Sequence, residues 1–178
     1  PNALMLTERK NVFTTQSFKN GLFEIQDIAS QYVSIFLDVQ PGMRVIDACA
    51  GGGGKSLHIA TLMKNKGKII SLDTEEWKLQ ELKRRARRNG IDIIETRVIN
   101  SMKVIKRLNE NAARLLLDVP CSGLGVLRRN PDAKWKLSIE KINSLINTQE
   151  RILNDYSSLV KKGGILVYST CSIIPSEN

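Results

Sequence analysis

Apolar and polar positions along the chain switch between two periods, and the switching predicts helices and strands in turn. From Glu24 onward Ile25, Ile28, Ala29, Tyr32, Val33 and Phe36 recur at helical spacing, which predicts a helix that packs on a sheet and ends before Pro41-Gly42. The short apolar run Val45-Ile46-Asp47 predicts a first strand, with a helix from Ser56 to Asn65 after it. Lys68-Ile69-Ile70-Ser71-Leu72, closed by Asp73, predicts the second strand. Glu75 to Asn89 then reads as a helix, with acids in its first turn, basic residues at its end and Gly90 as its cap. A third strand is expected near Ile93 to Ile99 and a short helix near Met102 to Leu108. Arg114-Leu115-Leu116-Leu117-Asp118 is apolar until its final acid, the pattern of a strand buried on both faces. A long helix is predicted from Ser138 to Val160, closed by Lys161-Lys162-Gly163-Gly164, with Ile139, Ile142, Leu145, Ile146, Ile152, Leu153, Tyr156 and Leu159 on its core side. Ile165 to Thr170 is the last strand. Such alternation predicts an α/β fold with a doubly wound, mostly parallel sheet, whose ligands sit outside the carboxyl ends of the strands. Residues 1–20 are polar and without period, and read as the tail of something that precedes the domain at 21–178.

Between the first strand and its helix lies Asp47-Ala48-Cys49-Ala50-Gly51-Gly52-Gly53-Gly54-Lys55-Ser56. Strand, glycine turn, helix is the arrangement that sets backbone N–H groups against a nucleotide-like ligand. A phosphate-binding loop of the form G-x-x-x-x-G-K-[ST] fails here, because Cys49 falls where its first glycine belongs. A dinucleotide fingerprint fails too, since four consecutive glycines do not supply G-x-G-x-x-G in full. The remaining reading is S-adenosylmethionine (SAM), whose methionine and ribose parts would lie against bare backbone. Asp73, at the next strand end, would hold the ribose hydroxyls.

At 178 residues and 42% hydrophobic composition the chain suits one domain with a full-sized core. No apolar run approaches membrane-spanning length and no signal pattern opens the chain, so the expected compartment is the cytoplasm. The net charge of +9 favours a polyanionic partner, nucleic acid rather than a membrane. Lys83-Arg84-Arg85-Ala86-Arg87-Arg88 suits RNA phosphates, and equally a solvated face that complements the helix dipole. His58 reads as an exposed helical residue rather than a catalyst or ligand.

Cys49, Cys121 and Cys171 are odd in number and far apart, which argues against a disulfide framework and against a metal site. Two of them stand just past strand ends, in Asp118-Val119-Pro120-Cys121-Ser122-Gly123 and Ser169-Thr170-Cys171-Ser172. Paired thiols and a carboxylate facing a SAM site suit methylation of carbon 5 of a pyrimidine. Thiolate addition at carbon 6 makes carbon 5 nucleophilic, and a base then removes the carbon 5 proton so that the thiol leaves. Lys55, helix N-termini and the sulfonium charge would lower the nucleophile's pKa.

At these motifs the chain resembles the Sun-type (Nop/Sun) RNA cytosine-5 methyltransferases. The likeness also takes in Gly125-Val126-Leu127-Arg128-Arg129-Asn130-Pro131-Asp132-Ala133-Lys134-Trp135, Tyr168, the lead-in Gly21-Leu22-Phe23 with Gln26-Asp27, and Pro175, Glu177 and Asn178. The arginine-rich loop ending in Trp135 is most like the bacterial 16S ribosomal RNA branch. The resemblance implies a SAM-dependent, Rossmann-like methyltransferase acting on RNA, ribosomal or transfer. It implies Cys171 as nucleophile and Cys121 as the thiol that promotes release. Asp118 and Lys55 would hold the cytosine and, with Cys49, Ala50 and Gly51 to Gly54, the cofactor. Asn100 stands where the family usually has an acid near the adenine, and its side-chain oxygen can accept from the adenine amino group. Two further departures are the Gly51-Gly52 pair, where the family commonly has Ala-Pro, and Ile28 in place of a glutamate. Trp135 would stack on RNA or anchor its loop. Residues 1–20 would then be the tail of an RNA-binding segment. Few residues follow Cys171, so the domain is expected to lack its C-terminal closing hairpin, to leave a sheet edge exposed and to pair with itself there.

Overall fold

The computed structural model describes residues 3–8 and 10–178. A short α1 (Gln16–Lys19) and then α2 (Ile28–Phe36) lead into β1 (Arg44–Asp47). Next come α3 (Gly54–Leu62), β2 (Lys68–Asp73), α4 (Glu76–Arg88), β3 (Ile94–Val98), α5 (Met102–Lys106) and β4 (Ala112–Asp118). The one-turn α6 (Ala133–Lys136), α7 (Ile139–Tyr156) and β5 (Val160–Ser169) follow. The strands pair in parallel in the order β3-β2-β1-β4-β5, so the chain works outward from β1 to one edge and then returns beside β1 to build the other. This is the doubly wound sheet that the alternating pattern predicts.

Neighbouring strand residues point to opposite faces, and both faces are covered. Ile46, Ile70, Leu115 and Leu117 join Ile105, Tyr156 and Leu159 on one side. Val45, Ile69 and Leu116 join Leu37, Ile59, Ala60 and Met63 on the other. A third cluster, Leu57, Leu79, Leu82 and Ala86, glues α3 to α4. Helix α4 is short of apolar residues, and this stripe is what holds it to the sheet.

Two expectations need correcting. The long helix stops at Tyr156, and Lys161 to Gly164 belong to β5 rather than closing the helix. The cause is non-local: Val160 pairs with Ala112 of β4 and Ile165 with Arg114, so the Lys-Lys-Gly-Gly stretch is held as an irregularity between two paired positions instead of ending the helix. Ile139 is correspondingly 73% exposed, and the polar Gln149 is buried on the inner side of α7. The second correction concerns α2, which begins at Ile28, capped by the Asp27 carboxylate, and does not bury the predicted stripe. Ile28, Tyr32 and Phe36 are all exposed, whereas Ser34 is buried, Val33 packs inward and the core contact comes from Leu37 just beyond the helix.

Candidate active site

Each candidate residue stands at the carboxyl end of a strand, because the parallel register brings all five ends to one rim. Opposite Asp118, the last residue of β4, lies Ser169, the last of β5. From those matched positions three residues lead to Cys121 and two to Cys171, so the two thiol-bearing turns leave the sheet side by side. Their Sγ atoms are 3.3 Å apart, and the Cys171 N–H also donates to the Cys121 Sγ at 3.3 Å. Cys171 is exposed and Cys121 half-buried, so neither sulfur is walled off beneath the sheet.

Such a thiol pair titrates as a unit. The Cys171 thiol, by donating to Cys121, holds Cys121 down to about 6 against the penalty of partial burial, with backbone N–H groups of Cys171 and Gly123 assisting. Cys171 is pushed up by the same contact, by burial and by the negative charge of Cys121, with Lys55 opposing weakly. The first thiolate of the pair therefore forms well below the ordinary thiol range. Cys49 is a different kind of thiol: burial first, then the nearby carboxylates Asp47, Asp73 and Asp118, push its pKa up and keep it protonated.

Asp118 is held from two sides. Its Oδ2 accepts from Lys55 Nζ of α3 at 2.5 Å, and its Oδ1 accepts from Ser169 Oγ of β5 at 2.8 Å. Lys55 is thereby engaged by a carboxylate rather than free to face a thiol. Beneath this pair Asp47 is buried, accepting from Ser56 Oγ at 2.6 Å, while Ser56 in turn meets Ser71 Oγ at 2.8 Å. Burial pushes the Asp47 carboxyl up to about 7 despite the Ser56 hydrogen bond.

The glycine turn is fixed from above and below. Asp73 accepts from the Gly51 N–H at 2.8 Å and from the Glu75 N–H at 2.9 Å, so one carboxylate ties the turn to the start of α4. Gly53 precedes α3 with φ +85°, and a Cβ there would lie 2.3 Å from Leu82 Cγ. Only glycine satisfies both conditions. Arg85 of α4 donates to the Gly52 carbonyl at 2.7 Å and to Glu24 at 3.0 Å, and Glu24 also accepts from Arg88 and from Asn89. Burial alone would raise the Glu24 pKa, but these donors and the two guanidinium charges bring it below the usual carboxylate range. Arg85 and Arg88 are thus neither phosphate contacts nor a solvated face, since both turn inward to a half-buried acid in the lead-in segment. No periodicity signals such a pairing, because its partners are more than sixty residues apart in sequence.

Beside the turn opens a cavity of about 610 Å³, within the range of small-molecule sites. Cys49, Gly51, Asp73, Asn100 and Asp118 line it, with Pro120 joining it to the Cys121 turn. The opposite wall comes from α7, through Thr148, Arg151, Ile152, Asp155 and Tyr156, which no motif marks. Ala50, Gly52, Gly53, Gly54 and Lys55 do not line it. Ala50 is buried against Leu57 and Leu82, Gly52 is turned to Arg85, and Lys55 is taken by Asp118. His58 differs from expectation as well: it is half-buried, and burial lowers its pKa. Trp135 is 80% exposed with Lys134 over its ring, so it does not anchor its loop, whereas its neighbour Ala133 is buried. Among the described residues no three His, Cys, Asp or Glu gather as a metal site, and no helix is long and apolar enough to cross a membrane.

A parallel sheet in this order, with a glycine turn, an acid at the second strand end and a cavity at the carboxyl rim, is the Rossmann-like fold of SAM-dependent methyltransferases. Residues 34–178 match the family described as 16S rRNA methyltransferase RsmB/F, and the chain belongs to that family. It is 45% identical over 165 residues to the probable ribosomal RNA small subunit methyltransferase B of Bacillus subtilis, covering 92% of this chain and 37% of that protein. It is 36% identical over 182 residues to the tRNA (cytosine(72)-C(5))-methyltransferase NSUN6 of Mus musculus, covering 94% of this chain and 38% of that protein. The crystal structure of PH0851 superposes with a TM-score of 0.91 at 40% identity, over 96% of this chain and 39% of that one. The chain therefore spans roughly two fifths of the length of these relatives.

Proposed function

We propose that this chain is the catalytic core of an RNA cytosine-5 methyltransferase that uses SAM and acts on ribosomal RNA. The observation that carries the reading is the contact of Cys121 and Cys171, 3.3 Å apart beside the cavity that Asp73, Asn100 and Asp118 line. The donor set suits the cofactor: an acid for the ribose at Asp73, an amide for the adenine at Asn100, and a turn whose Gly51 leaves open space where a side chain would stand. Bound there, SAM supplies an electrophilic methyl group.

The protein's own residues do the rest. As Cys171 Sγ adds to carbon 6 of the cytosine, its proton passes to the Cys121 thiolate it touches, and Asp118, braced by Lys55 and Ser169, accepts from the ring's exocyclic amino group and holds that edge. The electron pair displaced from the ring forms the new bond from carbon 5 to the methyl group. Cys121 gives its proton to water, takes the proton from carbon 5, and the Cys171–carbon 6 bond breaks to restore the aromatic ring. Exposed Trp135 and the basic residues of its loop offer a stacking surface for an unpaired base. The names of the two relatives, a small-subunit rRNA enzyme and a tRNA cytosine-C5 enzyme, support RNA and that ring position. The preference for ribosomal RNA, action in the cytoplasm, and pairing of two copies along the β5 edge belong to the same proposal, and sedimentation would reveal the last as a dimer.

Incubating the complete protein with small-subunit rRNA, with tRNA and with labelled SAM tests the reading. It predicts 5-methylcytosine in rRNA, lost in Cys171→Ala. SAM bound without turnover on either RNA would leave a binding remnant instead, and methylation of tRNA alone would move the substrate.

A further inference from the structure

Glu177 is 1% exposed, and among the described residues no cation pairs with it. It stands in the turn Pro175–Glu177, and its carboxylate collects the loops that carry both thiols. Oε1 accepts from the Ser122 N–H at 2.8 Å and from Gln149 Nε2 at 3.0 Å. Oε2 accepts from Ser122 Oγ at 2.5 Å and from Ser172 Oγ, and those two hydroxyls meet at 2.9 Å. Ser122 follows Cys121 and Ser172 follows Cys171. Gln149 closes the arrangement from α7 by donating also to the carbonyl of Pro120, the residue before Cys121. On the other side the Gly125 N–H donates to the Cys171 carbonyl at 2.9 Å.

Leaving a carboxylate in this place costs solvation, which neutral donors repay only if they stay where they are. An apolar residue in the same volume would leave the Ser122 N–H, both serine hydroxyls and the Gln149 amide short of an acceptor, so the carboxylate's use lies in what it ties together. We propose that Glu177 is a positioning residue for the thiol pair: by gripping Ser122 and Ser172 it sets the distance between Cys121 and Cys171. The inference rests on the reading in which both thiols serve one ring, and it deepens that reading. The hydrogen bonds from Ser122, Ser172 and Gln149 overcome the opposing effect of burial and keep the group's pKa below the usual carboxylate range, so it is charged wherever the thiols react. That charge opposes ionisation of Cys121.

The test follows iodoacetamide labelling of each cysteine against pH by peptide mass spectrometry, in the complete protein, which needs neither RNA nor cofactor. In Glu177→Ala the loops part, Cys121 loses the hydrogen bond from Cys171, and its labelling step moves up toward the ordinary thiol range near 8.5. In Glu177→Gln the amide oxygen keeps Ser122 and Gln149 while the charge goes, so the step moves down instead. Turnover should fall about 100-fold in the alanine variant, the penalty of a displacement near 1 Å, with the KM for SAM unchanged, and should largely return in the glutamine variant. Should Glu177→Ala not fold, Ser172→Ala, which frees one loop only, must still shift the Cys121 step upward. Wild-type labelling profiles in the variants that fold would overturn the inference. A wild-type protein that makes no 5-methylcytosine, but whose labelling shifts as described, would overturn the functional reading and leave the positioning role intact.

Discussion

Two glycines in the same turn separate stability from binding. Gly53→Ala places a methyl group 2.3 Å from Leu82 Cγ and 2.8 Å from its Cδ1, at φ +85°. Leu82 has no exposed surface and sits between Leu57, Leu79 and Ala86, so it has nowhere to swing. The left-handed backbone costs about 1–2 kcal/mol for an L residue and the overpacking about 1–3 kcal/mol, giving roughly 2–5 kcal/mol in all. Gly51→Ala meets no protein atom within 4 Å at φ +53°, so only the backbone cost remains, about 1–2 kcal/mol, partly offset by a stiffer unfolded chain. For a chain of this length the gap should appear as a difference of roughly 2–12 °C in melting temperature, Gly53→Ala being the lower. Binding should order the pair the other way per unit of stability lost: Gly51 lines the cavity, and a methyl group there intrudes on the ligand while leaving the fold nearly as it was. Circular-dichroism melts and titration calorimetry with SAM measure both. Equal melting temperatures for the two variants would refute the claim that α3 and α4 are locked through Gly53 and Leu82.

Cys121→Ser should trap a covalent RNA adduct through Cys171, seen as a slow band on a denaturing gel, and free RNA alone would contradict the division of roles between the thiols. Arg85→Ala removes a guanidinium bonded to both the Gly52 carbonyl and Glu24 and should cost about 2–3 kcal/mol of stability by denaturant unfolding, and Arg85→Lys should recover little, since an ammonium lacks the fork that serves two acceptors. Asp47 has its pKa raised on folding, so its contribution is present below about pH 4 and is lost as the pH rises through about 7. Asp47→Asn stays neutral and should therefore gain on the wild type across that window, by up to about 4 kcal/mol, and parallel stability curves would refute the assignment. In the wild-type protein iodoacetamide should label Cys121 with a step near pH 6, while Cys49 stays slow throughout.

The centre of the sheet was readable because its signals are local. Apolar runs such as Leu115 to Leu117 mark buried strands, and a turn of glycines after Asp47 has few structural uses. The convergence of Asp73, Asn100, Asp118, Cys121 and Cys171 on one rim followed from parallel topology alone. Features created by distant pairing were hidden. Lys161 to Gly164 resemble a helix terminus until β4 pairs with Val160 and Ile165 on either side of them, and Ile28, Tyr32 and Phe36 look like a core stripe until the helix turns Val33 and Ser34 inward. Arg85 and Arg88 looked like surface because Glu24 lies so far back along the chain. Glu177 entered only as part of the family likeness and without a role, since its importance comes from two serines, each adjacent to a cysteine and fifty residues apart.

The spacing of the two sulfurs carries a liability. A separation of 3.3 Å is a little over 1 Å longer than the covalent bond two such atoms can form, so a diazene oxidant that accepts two hydrogen atoms could couple them into a cystine. On the proposed roles, coupling would block attack and release together, and a reductant would restore both. Preparations treated with such a diazene would then lose activity in a way that dithiothreitol reverses, a fault built into any centre that asks two thiols to work within touching distance.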